Sequence, residues 1–176
     1  MQDMMAIVEP MIPALRRYAR SLLRDRAAAD DLVQDCLERV ISRWHQRRSD
    51  GDARTWVFTI LHNLAINQLK RKVRRGVPLA IEDVDETAFA TAPTQEDGLH
   101  VRAVLAALDS LPEDQRCVLL LVSVEDLSYA ETAAVLDIPL GTVMSRLSRA
   151  RYRLSRLLEE GLSRTADATP VLRRIK

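Results

Sequence analysis

The sequence predicts an all-α protein of two small helical domains joined by a flexible acidic linker. Three observations carry that prediction. Of 176 residues, 47% are hydrophobic and 29% charged, enough apolar material for a core and too much for a disordered chain. Only 4% are aromatic and five are glycine, and the β-branched alternation that strands need is missing, which excludes a sandwich or barrel. Finally, the near-neutral net charge of +1 hides three blocks: residues 1–76 carry +6, residues 77–97 carry −6 with no Lys or Arg, and residues 98–176 carry +1. Basic regions flanking an acidic connector suit a polyanion-binding protein whose linker stays off the polyanion.

The first helix is expected over about Met5–Leu23, with Leu15, Ala19 and Leu22 at helical spacing and Pro10 and Pro13 in its first turn. A second follows over Ala27–Trp44. Its apolar face is Leu32, Val33, Cys36, Leu37, Val40, Ile41 and Trp44; Asp31, Gln34, Asp35 and Glu38 form a separate acidic face. The polar stretch Arg47–Asp52, with Ser49-Asp50-Gly51-Asp52, is turn chemistry. From Ala53 to Arg75 the pattern is again helical, and 100° per residue gathers Asn63, Asn67, Lys70 and Arg74 opposite the apolar side. No acid occurs between Ala53 and Glu82, so this one-sided stripe points to nucleic acid rather than to ordinary solvated charge.

Residues 77–97 read as the linker, and residues 98–164 as the second domain, followed by a frayed tail over 165–176. Helices are expected at Val101–Leu111, ending before Pro112, and at Glu113–Val124. Ser128 with Glu131 three residues on is a capping box, opening a short helix to about Leu136. Asp137-Ile138-Pro139 supplies a tight turn. A longer helix then starts near Leu140–Thr142 and runs to about Leu158, with Val143, Leu147, Ala150 and Leu154 inward. Short helix, turn and longer helix make a helix-turn-helix. The outward residues Ser145, Arg146, Ser148, Arg149 and Arg153 lie in a stretch without an acid between Asp137 and Glu159, as major-groove reading requires.

Cys36 and Cys117 each sit inside an apolar helical pattern and share no ligand spacing with His45, His62 or His100, so buried thiols are expected, and no cofactor or metal. Trp44 and Trp56 are expected in the core of the first domain. The N-terminus shows no basic segment followed by an apolar core, and the longest apolar run, Cys117–Val122, is far short of a bilayer span, so no membrane insertion and a cytoplasmic location are expected.

Two sets of blocks together resemble a known family. Ala29-Asp30-Asp31-Leu32-Val33-Gln34-Asp35 and Arg54-Thr55-Trp56 through Leu64-Ala65 stand in the first domain. Leu111-Pro112-Glu113 through Arg116 and Leu127-Ser128-Tyr129 through Arg151 stand in the second. In this order, over about residues 10–160, they resemble bacterial sigma factors of the extracytoplasmic-function (ECF) type in the sigma-70 family, with a sigma-2-like domain over 1–76 and a sigma-4-like domain over 98–164.

The resemblance implies roles. Asp31, Gln34, Asp35, Glu38 and Arg39 correspond to the surface that docks on the β′ clamp helices of core RNA polymerase; the β flap is the expected partner of the second domain. Arg47, Ser49, Asp50, Gly51, Asp52, Asn63 and Asn67 match elements that capture a flipped base of the minus-ten promoter element. Extruding a base costs a few kcal/mol, so a pocket for it both drives strand opening and reads sequence. Lys70, Arg71, Lys72, Arg74 and Arg75 would hold phosphates. Thr142, Met144, Ser145, Arg146, Ser148, Arg149 and Arg153 would read the minus-thirty-five element as duplex. The implied function is an alternative sigma factor for a stress- or signal-responsive regulon, without enzymatic activity, controlled by an anti-sigma protein wedged between the domains. The chain departs from the family pattern at Asp137, where Gly is usual, at Met144, where Lys or Arg is frequent, at Ser148, where a larger side chain is common, and at Arg47, where an aromatic is frequent. Two other classes fit less of the chain. A stand-alone DNA-binding regulator, with a helical sensor domain in front of its helix-turn-helix, predicts tight duplex binding without polymerase, whereas a sigma factor binds promoters weakly until docked; a nuclease built on Asp30, Asp31 and Asp35 lacks a second acidic cluster to complete a metal site.

Overall fold

A computed structural model describes residues 2–47, 51–74 and 95–167, and every regular element among them is helical. The first half holds α1 (Gln2–Val8), α2 (Ile12–Leu23), α3 (Arg26–Arg43) and α4 (Ala53–Arg74); the second holds α5 (Gln95–Asp109), α6 (Glu113–Ser123), α7 (Tyr129–Leu136) and α8 (Leu140–Asp167). Pro10 and Pro13 each fall at the start of a helical turn, where a missing N–H costs nothing: a 3₁₀ turn over Glu9–Met11 splits the expected first helix in two. Asp25 caps α3 by accepting from the Ala28 N–H at 2.9 Å. The Asp52 carboxylate accepts from the backbone N–H and the hydroxyl of Thr55 at 2.7 and 2.8 Å, which places α4.

Two boundaries move. Helix α5 begins at Gln95, just past Pro93 and inside the stretch expected to be linker, and α8 continues to Asp167 rather than stopping near Leu158. The rest of the expected linker (77–94), residues 75 and 76 before it, and the tail from 168 lie outside the described residues.

The first half packs Leu15, Tyr18 and Leu22 of α2, Leu32, Val33, Cys36 and Val40 of α3, and Val57, Phe58, Leu61 and Ala65 of α4 into one core. Tyr18 meets Phe58 edge-on, with centroids 5.8 Å apart. Trp44 and Trp56 pack edge-to-face against each other at 6.0 Å, half-buried on the margin of this core rather than within it, and Ile41, expected inside, is exposed. The second half builds its own smaller core from Leu111, Val118, Leu119, Val143, Leu147 and Ala150.

The two halves are not separate beads. Cys117, Leu120 and Leu121 of α6, Leu127, and Val135 of α7 belong to the first half's core, not to that of the helix-turn-helix. Helix α6 is therefore apolar on two sides, one for each half, as expected of a helix buried all round. The thiols of Cys36 and Cys117 are buried and free, and burial pushes both up to about 12.

Candidate nucleic-acid and polymerase interface

Helix α4 turns Val57, Phe58, Leu61, His62, Leu64, Ala65 and Leu69 inward, which leaves Asn63, Asn67, Lys70, Arg71 and Arg74 exposed along the outer side. Neither Asn63 nor Asn67 makes a side-chain hydrogen bond to a described residue, so both amides are available to a base edge. Lys72 departs from the expectation: it is half-buried and turns to Asp25, at 3.9 Å, on the α3 side. Beside the helix start, Arg47 lies over the Trp44 ring at 5.0 Å and donates to the Gly51 carbonyl at 2.6 Å, closing the loop between α3 and α4. Asp52 is committed to capping α4. Burial works upward on its carboxyl, but the Thr55 hydrogen bonds and the neighbouring Arg54 hold it below the usual value. Ser49, Asp50 and Arg75 lie outside the described residues.

Helix α3 shows why its acids divide into two sets. Asp30 faces α2 and meets Arg20 at 3.3 Å and Arg16 at 3.6 Å. Asp31, Gln34, Asp35, Glu38 and Arg39 all remain exposed on the other side, with Gln34 donating to Glu38 at 3.3 Å. Between this face and α4 runs a groove of about 390 Å³ lined by Asp31, Asp35, Arg39, Asn67, Arg71 and Lys72, among others. The expected polymerase face and the expected minus-ten face thus meet along one groove.

The helix-turn-helix forms as its sequence dictates. The capping box is complete: Ser128 Oγ accepts from the Glu131 N–H at 3.2 Å, and the Glu131 carboxylate accepts from the Ser128 N–H at 2.7 Å. Asp137 ends α7 in the left-handed region at φ 52°, a conformation that Asp tolerates better than most residues, so the departure from Gly leaves the turn intact. The Pro139 carbonyl accepts from the Thr142 N–H at 2.9 Å, starting α8. A Cβ at Gly141 would meet nothing within 4 Å, so no packing demand fixes glycine there.

On α8, Met144, Ser145, Ser148, Arg149 and Arg153 are exposed and Thr142 is half-buried. Arg146 is turned aside: half-buried, it pairs through Nε with Asp114 of α6 at 3.2 Å. Tyr152, two-thirds exposed at 67%, stands seven residues after Ser145 on the same side, a placement that helical position conveys and the charge pattern does not. Nor does the sequence signal Arg17, Arg54 and Glu125, which join the halves: Arg17 donates to both oxygens of Glu125, at 2.9 and 2.8 Å, and Arg54 donates to the Glu125 carbonyl at 2.5 Å. No short-range pattern connects those three positions.

Two exposed basic helical faces, one rich in amides and one on the second helix of a helix-turn-helix, stand on the two halves of the molecule, the arrangement expected of the DNA-binding class of protein. Comparison makes the family specific. The model of the sigma-2 domain of PhyR matches residues 8–62, and that of sigma-70 region 4 matches residues 101–154. The ECF RNA polymerase sigma factor EcfG of Rhodopseudomonas palustris is 37% identical over 150 residues, 84% of this chain and 80% of that protein. The sigma-E factor of Escherichia coli is 30% identical over 131 residues, 69% of each chain. The co-crystal structure of the sigma factor RpoE with the anti-sigma factor NepR, from Bartonella quintana, superposes with a TM-score of 0.77 at 31% identity, covering 90% of this chain and 98% of that one. The chain belongs to the ECF RNA polymerase sigma factors: it binds core polymerase, recognises the minus-ten and minus-thirty-five promoter elements and initiates transcription. Among the described residues, no helix is long and apolar enough to cross a membrane.

Proposed function

We propose that three surfaces divide the work of this sigma factor. The exposed face Asp31, Gln34, Asp35, Glu38 and Arg39 docks on the β′ clamp helices; the outer side of α4, with Asn63 and Asn67 foremost, takes the minus-ten bases; and Ser145, Ser148 and Arg149 of α8 read the minus-thirty-five duplex, with Arg153 on phosphate. The observation that carries this reading is the sorting of charge on α3 and α4: Asp30 and Asp52 are paired or capping, while Asp31, Gln34, Asp35, Glu38 and Arg39 on α3 and Asn63, Asn67, Lys70, Arg71 and Arg74 on α4 are exposed. Arg71 and Arg74 serve phosphates, and Lys72 stabilises the α3 start instead. Gly141 leaves the backbone at the head of α8 open to a phosphate, which the N-terminal end of a helix favours.

The domain bounds 1–76 and 98–164 describe the two functional parts. The second domain's polymerase partner is the β flap. The protein works in the cytoplasm on a stress- or signal-responsive regulon, has no catalytic role of its own, and is restrained by an anti-sigma protein, as RpoE of Bartonella quintana is seen bound to one. Titration of labelled core polymerase tests the assignment. Asp31→Lys/Asp35→Lys should lose binding by tenfold or more, while Arg149→Ala binds core as the parent does; equal binding by both variants would move the docking face elsewhere.

A further inference from the structure

Most of the outer side of α8 is polar, yet its first two turns carry two large apolar side chains that stay partly in water. Leu140, the first residue of the helix, is 44% exposed, and Met144, one turn on, is 48% exposed. Neither belongs to the core of the second half, whose share of α8 is already filled by Val143, Leu147 and Ala150. A single exposed apolar side chain is ordinary. Here Tyr129, Leu140, Met144 and Tyr152 bring half of the large apolar side chains exposed among the described residues to one helix-turn-helix.

The order of side chains around the helix sets what Met144 stands beside. At about 100° and 1.5 Å per residue, Met144 and Arg149 lie about 140° apart around α8 and about 7.5 Å apart along it. Between them run Gly141, Ser145 and Ser148, all exposed and none larger than a hydroxymethyl group. A Cβ on Gly141 would meet nothing within 4 Å, so this band is low and open. Such a band lets a helix settle close to the floor of a major groove, where the N-terminal residues of a recognition helix meet base edges. The side chains that rise on its two flanks then address base pairs about two steps apart, at about 3.4 Å per step. Their chemistries are opposite. Arg149 offers a fork of N–H donors, whereas Met144 offers no donor, a weakly accepting sulfur and an unbranched thioether that adapts to irregular apolar surfaces.

In the major groove, guanine, cytosine and adenine are marked by polar atoms, and thymine alone adds a methyl group, on C5 beside its O4. An apolar side chain pressed on a purine edge or on the cytosine amine strips water from groups that it cannot bond, which costs free energy; pressed on the methyl, it removes apolar surface from water. We propose that Met144 reads one thymine of the upstream duplex through its C5 methyl group, with Leu140 one turn behind covering the outer side of the contact. The inference rests on the upstream role proposed for α8 and adds ligand chemistry to it: a base selected by its methyl, about two steps from the position that Arg149 contacts. The surroundings favour DNA over an apolar protein partner. Arg149, Arg151 and Arg153 are exposed on the same helix, and no acid occurs between Asp137 and Glu159.

The test separates the methyl group from everything else about the base. Holoenzyme, formed from the full chain and core polymerase, is titrated on upstream duplex taken from mapped start sites. Each thymine of either strand is replaced in turn by uracil, which deletes only the methyl and keeps the pairing. The parent should lose about fourfold in affinity at one thymine, the worth of one buried methyl. Met144→Ala should bind the thymine and uracil duplexes equally, and Met144→Leu, which keeps an apolar side chain, should keep the difference. Met144→Lys should lose the difference while raising the salt slope by about 1. Position 144 is exposed, and circular dichroism checks that each variant stays helical. No uracil-sensitive thymine in the parent, or one that stays sensitive in Met144→Ala, would overturn the methyl contact. If Arg149→Ala still weakens duplex binding under that result, only the methyl contact falls; if Arg149→Ala also binds as the parent does, the upstream role of α8 falls with it. Weaker binding of Met144→Ala to core polymerase alone, with equal loss on every duplex, would give the apolar pair to a protein partner and overturn the contact as well.

Discussion

Helices α4 and α8 are both basic on the outside, yet they are rooted differently. The inner side of α4 carries a titratable group: His62 is buried, with Nδ1 3.0 Å from the Tyr18 hydroxyl. The inner side of α8, Val143, Leu147 and Ala150, is wholly apolar. Outside, α4 leads with two amides that bond no described residue and α8 with an exposed Arg149 beside a braced Arg146. Amides suit the edges of unstacked bases, which have both donors and acceptors; guanidinium suits guanine and phosphate on an intact duplex. On the roles proposed for them, the difference suits one helix to opened DNA and the other to closed DNA.

The largest expected effect concerns the inner faces. Burial lowers His62 to about 4 from an ordinary value near 6.5, so the folded state binds fewer protons than the unfolded one between those values. The neutral His62 thus contributes stability that is complete above pH 6.5 and lost as pH falls to 4, on the order of 3 kcal/mol. Glu125 works in the opposite direction, because burial raises its carboxyl despite Arg17, so it takes up its proton earlier in the folded state. Urea melts across pH 7 to 4 should show the loss, and His62→Gln should flatten it; an unchanged slope in the variant would remove His62 from the account.

Next comes Asn63→Ala. If Asn63 holds an extruded base, permanganate reactivity of the melted start region should fall by roughly tenfold to a hundredfold, a few kcal/mol, with core binding unchanged. Loss of both together would make Asn63 structural and erase the contrast with α8. Arg149→Ala should weaken binding of holoenzyme to the upstream duplex by about 1–3 kcal/mol and lower the salt slope by about 1. The smallest effect is expected at the brace. Asp114→Asn should free Arg146 for phosphate and raise the salt slope by at most about 1, leaving discrimination among upstream sequences unchanged; altered discrimination would give Arg146 a base contact.

Much of this molecule is legible in the sequence, and the reasons are local. Apolar spacing, Pro10, Pro13 and Pro112, and the capping box at Ser128 each act within a turn or two of helix, so the helices and the helix-turn-helix follow from them. The stripe Asn63, Asn67, Lys70 and Arg74 is legible for the same reason, since helical geometry alone places it. What periodicity does not convey is pairing between distant segments. Asp114 with Arg146, Lys72 with Asp25, and Arg17 with Glu125 depend on how helices pack, and a wheel plot treats each of these charges as solvated. One signal of the core shared by the two halves is present in the sequence. The run Cys117–Val122 is apolar all round, too much for a helix that serves one small core, and it becomes intelligible once α6 is seen to serve two.

The central claim is that this chain, with core polymerase, opens promoters defined by two separated elements, one read by each half. Run-off transcription tests it most directly: purified chain and sigma-free bacterial core polymerase on sheared DNA of the source organism, with start sites mapped. The account predicts discrete new starts that share two upstream elements at fixed spacing, lost with Asn63→Ala. Starts that share only one element, or none at all despite tight duplex binding by the chain alone, would contradict it.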